Sequence, residues 1–411
     1  MGRELIQVLG QRPACTGSGM YLQSFYQEAE NRGYSQKIVA AVQEGSEKQD
    51  CADFGSDFIP VEFLSSELPF PIFGMSDNMP YLSRAYSSLL DSEKQKLLKD
   101  YRKKVEQAIA DMEDPTILAH HLWLVTASVA RKFKNLQVIG ISHGTGIRQL
   151  QKNPRFASEV RKGISHLNRI LALNQHQKRE IADKFNISPQ KIEITGLGYN
   201  GNNFYFPGRE ELQTREQKNI KEIVYVGKLS RSKGVFSLLR VVELLEMNDI
   251  KLTLIGAGDG PESEKIEKRA GEVSCQVELT GLLDQQEVGE RLRTAHVFCL
   301  PSFYEGFALV ILEALACGLR VVSSDIPGVA DYLPDIIEEK SAITFVDLPP
   351  MQKVDFPAEE ELKNYENRLS HALTEQLNEI DDYSFLSDRE YIKAVKSLSW
   401  SGVFAEIEKF L

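Results

Sequence analysis

The chain has 411 residues, 42% of them hydrophobic, enough to bury more than one core and to suggest two domains. A formal net charge of −11 argues against general nucleic-acid binding, because a protein that tracks phosphates carries a basic balance. The five cysteines (Cys15, Cys51, Cys275, Cys299 and Cys317) are odd in number and far apart, without a C-x-x-C pair, so reduced cytosolic thiols are the simplest expectation. No stretch approaches the length of a membrane span, and the start M-G-R-E-L-I-Q-V-L-G has too short an apolar run for a signal peptide. A cytoplasmic protein is expected, with any membrane contact peripheral and on the inner face.

Leu5 to Leu9 reads as a buried strand, followed by the glycine-rich turn Thr16-Gly17-Ser18-Gly19 into a helix from about Met20 to Arg32. The turn lacks G-x-G-x-x-G spacing, which leaves a nicotinamide fingerprint unsupported. Lys37 to Val42 is a second strand. The loop-rich passage Phe70 to Tyr81 is either a packed surface loop or a place for substrate contacts. Ser92 to Met112 has the pattern of a charged amphipathic helix. Pro115 to His121 reads as a short strand ending in His120 and His121, and Val138 to Ser142 as another followed by His143. Side chains at the carboxyl ends of parallel strands line the ligand crevice of such sheets. The plain alternatives are a satisfied core histidine and a turn cap. Arg169 to Leu173 and Lys191 to Thr195 add two strands. Between Arg131 and Arg179, eleven Lys and Arg face the single acid Glu159, which makes either a solvated face or a patch for anionic lipid or an anionic acceptor.

Gly196 to Asn203 has a linker's composition, and the strand–helix rhythm then restarts. Lys221 to Val226 is a strand, Gly227 to Gly234 a turn carrying Lys228 and Lys233, and Val235 to Met247 a helix. Such a basic turn is a solvated loop or, at a helix N-terminus, a diphosphate site. Lys251 to Ile255, Val277 to Leu279 and Val297 to Leu300 are further strands. The stretch S-F-Y-E-G-F-A-L-V-I-L-E-A-L-A-C-G from Ser302 to Gly318 then forms an apolar helix over Phe307 to Cys317 with one misfit. Glu313 sits among Leu309, Leu312, Ala316 and Cys317, where a desolvated carboxylate costs several kcal/mol (roughly) unless hydrogen-bond donors meet it. Either a nearby Lys or Arg or a ligand with adjacent hydroxyls, such as a ribose, satisfies it. Glu305 precedes the helix, beside Gly306 and the free amides of the helix start, a natural seat for phosphate oxygens. Residues from about Pro350 to Asp388 read as an acid-rich helical cover, and Ser399-Trp400-Ser401 opens a last helix, Val403 to Leu411.

The E-x7-E pair Glu305 and Glu313, inside S-x-x-E-G-F-x-L-x-x-L-E-A-x-A-C-G, resembles the signature of the retaining glycosyltransferases of family 4, which have the GT-B fold. Lys228 and Lys233 resemble the family's Gly-Arg/Lys-x-x-x-x-Lys-Gly turn, with Lys228 for the commoner Arg. H-L-W-L after His120 resembles its His-x-W-L segment. Ala308 stands where the family more often has Gly. The resemblance implies an α/β GT-B chain with two doubly wound, Rossmann-like domains facing each other across a cleft: 1–203 completed by 399–411, and 204–398. It further implies that Glu305 meets the donor sugar and Glu313 its ribose. Gly17, Gly19, Lys228, Lys233, Gly306, Phe307, Ala308 and Leu309 would bind the remainder of the donor. His121 would support the reacting face, with His120 and His143 as candidates for acceptor contact.

No two aspartates stand in D-x-D spacing, so the metal-diphosphate clamp of the other large glycosyltransferase fold is missing. The expectation is therefore a metal-independent, retaining transfer of a hexose from a nucleoside-diphosphate sugar, UDP by family frequency, to a glycan, glycolipid or small molecule, with no further cofactor. A sugar phosphorylase, a sugar-nucleotide epimerase and a non-catalytic nucleotide-sugar binding protein are the rivals on the same plan.

Overall fold

The computed structural model describes residues 3–13, 16–45, 54–76, 79–245, 247, 249–258, 260–305, 307–353 and 356–411. The chain forms two compact units, Met1–Leu197 with Val403–Leu411, and Gly198–Gly402. These divisions lie a few residues from the expected 203/204 and 398/399. Residues 198–203 go with the second unit, where Tyr199 is paired. Its amide donates to the Leu398 carbonyl at 3.2 Å, and its carbonyl accepts from the Trp400 amide at 3.0 Å.

In the first unit, β1 (Glu4–Leu9), β2 (Ser35–Gln43), β3 (Phe58–Phe63), β6 (Thr116–His120), β7 (Val138–Ile141), β8 (Arg169–Ala172) and β9 (Ile192–Ile194) make one parallel sheet in the order β3-β2-β1-β6-β7-β8-β9. The short β4 (Ile72–Gly74) and β5 (Ser83–Ala85) pair separately. Leu5, Ile6, Val8 and Leu9 on β1 are all buried, as a strand covered on both faces requires. The strand order reverses between β1 and β6, so the segments after these two strands lie side by side at the switch point, where sheets of this kind bind ligands.

The second unit repeats the plan with β10 (Lys221–Val226), β11 (Ile250–Ile255), β12 (Gln276–Gly281), β13 (Val297–Leu300), β14 (Arg320–Ser324) and β15 (Ile343–Val346), ordered β12-β11-β10-β13-β14-β15 and parallel throughout. Here the switch point is between β10 and β13. It sets the Gly227–Gly234 turn beside the loop that starts at Pro301.

Two expectations change. Gly17 to Gly19 are not a turn before a helix but its first residues: the helix runs Gly17–Asn31, and the Thr16 hydroxyl accepts the Gly19 amide at 3.1 Å as its N-cap. The stretch expected as a solvated cover contains the helix Leu362–Asn378, which buries Tyr365, Leu369, Leu373 and Leu377 in the core of the second unit.

The last helix, Trp400–Glu408, gives its final residues to the first unit. Phe404 is fully buried there, its ring 4.7 Å from Phe25 and 5.7 Å from Tyr34, with the Arg32 guanidinium 4.9 Å above it. Arg32 also pairs with Glu408 at 2.8 Å, and the Tyr34 hydroxyl donates to the same carboxylate at 3.1 Å. Truncating a buried phenylalanine loses its transfer energy and leaves a cavity. Phe404→Ala should therefore cost about 3–5 kcal/mol in urea unfolding of the first unit; a loss below about 1 kcal/mol would mean that this segment does not hold the unit together.

Candidate functional site

In the second unit, the turn after β10 and the loop after β13 are fastened backbone to backbone. Gly234 has φ of 68°, and a Cβ there would lie 2.0 Å from the Pro301 carbonyl oxygen, so only glycine fits. The Phe303 amide donates to the Ser232 carbonyl at 3.0 Å. Tyr365, from the buried helix Leu362–Asn378, donates its hydroxyl to the Pro301 carbonyl at 3.1 Å. The Tyr225 hydroxyl donates to the Lys228 carbonyl at 2.8 Å and fixes the start of the turn.

This fastening brings Lys233 onto Glu305. The ammonium donates to Oε2 of Glu305 at 2.6 Å and to the Tyr304 carbonyl at 3.1 Å, while Ser302 donates its hydroxyl to Oε1 of Glu305 at 2.8 Å. Glu305 is thus held from both sides by short charge-assisted or neutral hydrogen bonds. Lys228 is exposed on the same turn. Gly306 lies outside the described residues.

The helix expected over 307–317 spans Leu309–Ala316, with Ala308 as its N-cap residue and the Phe307 ring 5.3 Å from that of Tyr332. Glu313 is 7% exposed and has no hydrogen-bond or ion-pair partner among the described residues, so the internal Lys or Arg considered from the sequence is not there. Burial alone pushes its carboxyl up to about 7. The far end of the helix is capped by Arg215, 1% exposed, whose guanidinium donates to the carbonyls of Gly318 (2.8 Å), Cys317 (3.1 Å) and Arg293 (2.7 Å). A cation at a helix C-terminus opposes the dipole favourably. Sequence reasoning missed Arg215 and Tyr365, whose partners are distant in the chain, and also the bond from Ser302, whose place three residues before Glu305 was a local signal.

In the first unit, the switch point collects His120, His121 and His143. His120 is 1% exposed, and both ring nitrogens are bonded within the unit, Nδ1 to His143 Nε2 at 3.1 Å and Nε2 to Gln7 Oε1 at 3.3 Å. It is enclosed and does not offer the acceptor contact expected of it. His121 takes φ of 67°, a left-handed conformation that costs a non-glycine residue about 1–3 kcal/mol. Its Nε2 donates to Gln11 Oε1 at 3.1 Å and its Nδ1 accepts from Thr145 at 2.9 Å. Its polar ring atoms are thereby used inside the unit. The rings of His120 and His143 are parallel with centroids 5.3 Å apart, and that of His121 is 4.8 Å from His143. Burial holds all three imidazoles neutral, lowering His143 to about 3 and the other two well below the usual range. Gly19 has a structural reason, since a Cβ there would meet the Pro13 carbonyl at 2.4 Å, whereas Gly17 has open space around it.

The unpartnered Glu313 carboxyl has a measurable cost. Its folded pKa lies above its unfolded value of 4.5, so the folded state binds more protons between pH 4.5 and about 7 and loses stability as pH rises through that window. Glu313→Gln should remove the decline and be more stable than the parent at pH 8 by on the order of 3 kcal/mol, read by urea unfolding at several pH values. Parallel pH curves for the two proteins would show that Glu313 is not a buried, unpaired carboxyl.

Residues 209–338 match the family described as Glycosyl transferases group 1, a span that contains Arg215, Lys228, Lys233, Glu305 and Glu313. The gpi3 subunit of the phosphatidylinositol N-acetylglucosaminyltransferase of Schizosaccharomyces pombe is 23% identical over 248 residues, 60% of this chain and 49% of that protein. The chain spans about half the length of the curated relatives it matches. Among solved structures, a sucrose-phosphate synthase from Thermosynechococcus elongatus is similar with a TM-score of 0.66 at 17% identity, over 99% of this chain and 98% of that one. Anabaena Alr3699/HepE, solved in complex with UDP, is similar with a TM-score of 0.65 at 13% identity, over 99% of each chain. At these identities the structural likeness speaks for the fold. With two parallel doubly wound units the chain has the GT-B fold, and it is the segment 209–338 that matches the group 1 glycosyl transferases.

Proposed function

We propose that the chain transfers a hexose from a nucleoside-diphosphate sugar, UDP by preference, to a hydroxyl acceptor with retention of anomeric configuration and without a metal ion. The observation that carries this reading is Glu313, a buried carboxyl without a partner among the described residues, on the same loop–helix segment as Glu305. A ribose diol supplies the two donors the carboxylate lacks. Lys228, Lys233 and the amides at the start of helix Leu309–Ala316 would meet the diphosphate, with the positive helix end stabilising the charge that develops on the leaving group. A phosphate arriving at Lys233 competes with Glu305 for the ammonium, and its arrival would turn the Glu305 carboxylate from its ion pair toward the sugar.

In this mechanism the acceptor attacks from the face the diphosphate leaves, through an oxocarbenium-like transition state, and a donor phosphate oxygen takes the proton. The absence of D-x-D spacing from the sequence supports charge neutralisation by lysines rather than a metal clamp. No protein nucleophile is needed. Phe307, Ala308 and Leu309 would shape the walls of the donor site.

A thermal-shift screen of nucleotide sugars, UDP-glucose first, tests binding, since a ligand at a hundred times its Kd adds about 2.7 kcal/mol to stability. Glu313→Ala should abolish the shift. Glu305→Ala should keep it and lower turnover about a hundredfold. Equal activity to the parent in both variants, or sugar phosphate released from a disaccharide without nucleotide, would overturn the assignment.

The basic run supports a second element of the proposal, a peripheral contact with an anionic lipid surface. Arg131, Lys134, Lys162 and Lys191 cluster around His166 and lower its pKa further, after burial. No described helix is long and apolar enough to cross a membrane. Co-sedimentation with vesicles containing about 30% phosphatidylserine, lost in high salt and absent with phosphatidylcholine alone, is the expected outcome; equal sedimentation with both lipids would remove the electrostatic contact.

A further inference from the structure

Four hydrogen bonds in the first unit run in one direction, and a backbone carbonyl sets that direction. The Tyr26 carbonyl can only accept, so the side chain 2.9 Å from it, Gln36, presents its amide Nε2 there. That leaves Gln36 Oε1 facing Gln7, which must donate its Nε2 at 3.3 Å. Gln7 then turns Oε1 toward His120 Nε2, at 3.3 Å, and His120 must carry its proton on Nε2. A neutral His120 so protonated has a lone pair on Nδ1, and His143 Nε2, 3.1 Å away, must be the donor. Gln7, Gln36 and His120 are all nearly inaccessible to water, at 0%, 4% and 1% exposure, so no solvent molecule competes for these bonds from outside.

The geometry points to a positioning chain: Gln36, Gln7 and His120 fix His143 as the Nε2–H tautomer, so that its Nδ1 is presented as a hydrogen-bond acceptor for a ligand hydroxyl. Nδ1 of His143 has no partner among the described residues, and the ring is only partly buried. His121, three ångströms or so from its own partners, shows the contrast, with Nε2 donating to Gln11 and Nδ1 accepting from Thr145. The Gln11 orientation is fixed in the same way, because its Nε2 faces the Met79 sulfur and its Oε1 receives the Ser18 hydroxyl. Of the three histidines, His143 alone keeps a ring nitrogen for a ligand. The neutral state that this logic needs is the one burial favours for all three rings. The assignment of the hydroxyl to an acceptor alcohol rests on the proposed transfer reaction; the tautomer does not.

The test reads the tautomer directly on the full chain without substrate. Two-bond proton–nitrogen correlation spectra of ¹⁵N-histidine-labelled protein near pH 7, with the His143 signals identified by their loss in His143→Gln, should show one species protonated at Nε2. Gln7→Leu, which removes the acceptor for His120, should convert His143 to a mixture of tautomers or to the Nδ1–H form, and Gln36→Leu should do so more weakly. A parent protein with His143 protonated at Nδ1 or already mixed overturns the chain, as does an unchanged tautomer in folded Gln7→Leu. Should Gln7→Leu fail to fold, the parent spectrum and Gln36→Leu decide. Absence of transferase activity with a normal Nε2–H spectrum would sink the proposed reaction and leave the chain standing.

Discussion

A carbonyl oxygen at residue 301 occupies the space where residue 234 would have a Cβ, and the candidate donor site depends on that contact. Any side chain at 234 would part the turn after β10 from the loop after β13. With them would go the reach of Lys233 to Glu305 and the short amide contact between Phe303 and Ser232. The parallel sheet supplies the reason for the approach, since β10 and β13 are neighbours although more than seventy residues separate them. Charge placement is thus a consequence of strand order, and the glycine's positive φ is the local concession that permits it.

The two switch points carry different physics. In the second unit the polar groups are charged and paired across loops, with one carboxyl, Glu313, left unsatisfied at a cost to stability. In the first unit the polar groups are neutral, buried and joined in chains that end on carbonyl oxygens or a sulfur. Such unsatisfied or strained groups persist only where the surrounding fold over-determines them. His121, left-handed and bonded at both nitrogens, and Glu313, desolvated and unpaired, are the two examples here.

Most strands were readable because parallel strands buried on both faces are runs of apolar residues, and β10 and β13 have the limits read from sequence. Of the four edge strands, β9 and β12 were read, whereas β3 and β15 were not. β3 contains Pro60, which lacks an amide donor and is tolerated at a sheet edge, where β3 lies. β15, an edge strand of the other unit, is short and mixed in burial. The acid-rich stretch before residue 388 hid the core helix Leu362–Asn378, because its buried face is a spaced set of Tyr and Leu among charges. In the site, Glu305, Glu313, Lys228 and Lys233 stood out as charges at odds with their surroundings or beside a helix start. The glutamines beneath the histidines did not, since a polar residue such as Gln7 inside an apolar strand gives no sign of its partner until the strands are placed side by side.

Arg215 fastens the end of the helix that bears Glu313, through the carbonyls of Cys317 and Gly318, to the Arg293 carbonyl of the helix Gln285–Thr294, and uses no carboxylate to do so. The helix therefore owes its hold at that end to a cation on its sealed side, whereas its start is held by apolar packing, with Ala308 buried in the core and the Phe307 ring against Tyr332. A substitution at the start would repack those apolar contacts while the rear clasp keeps the pivot still.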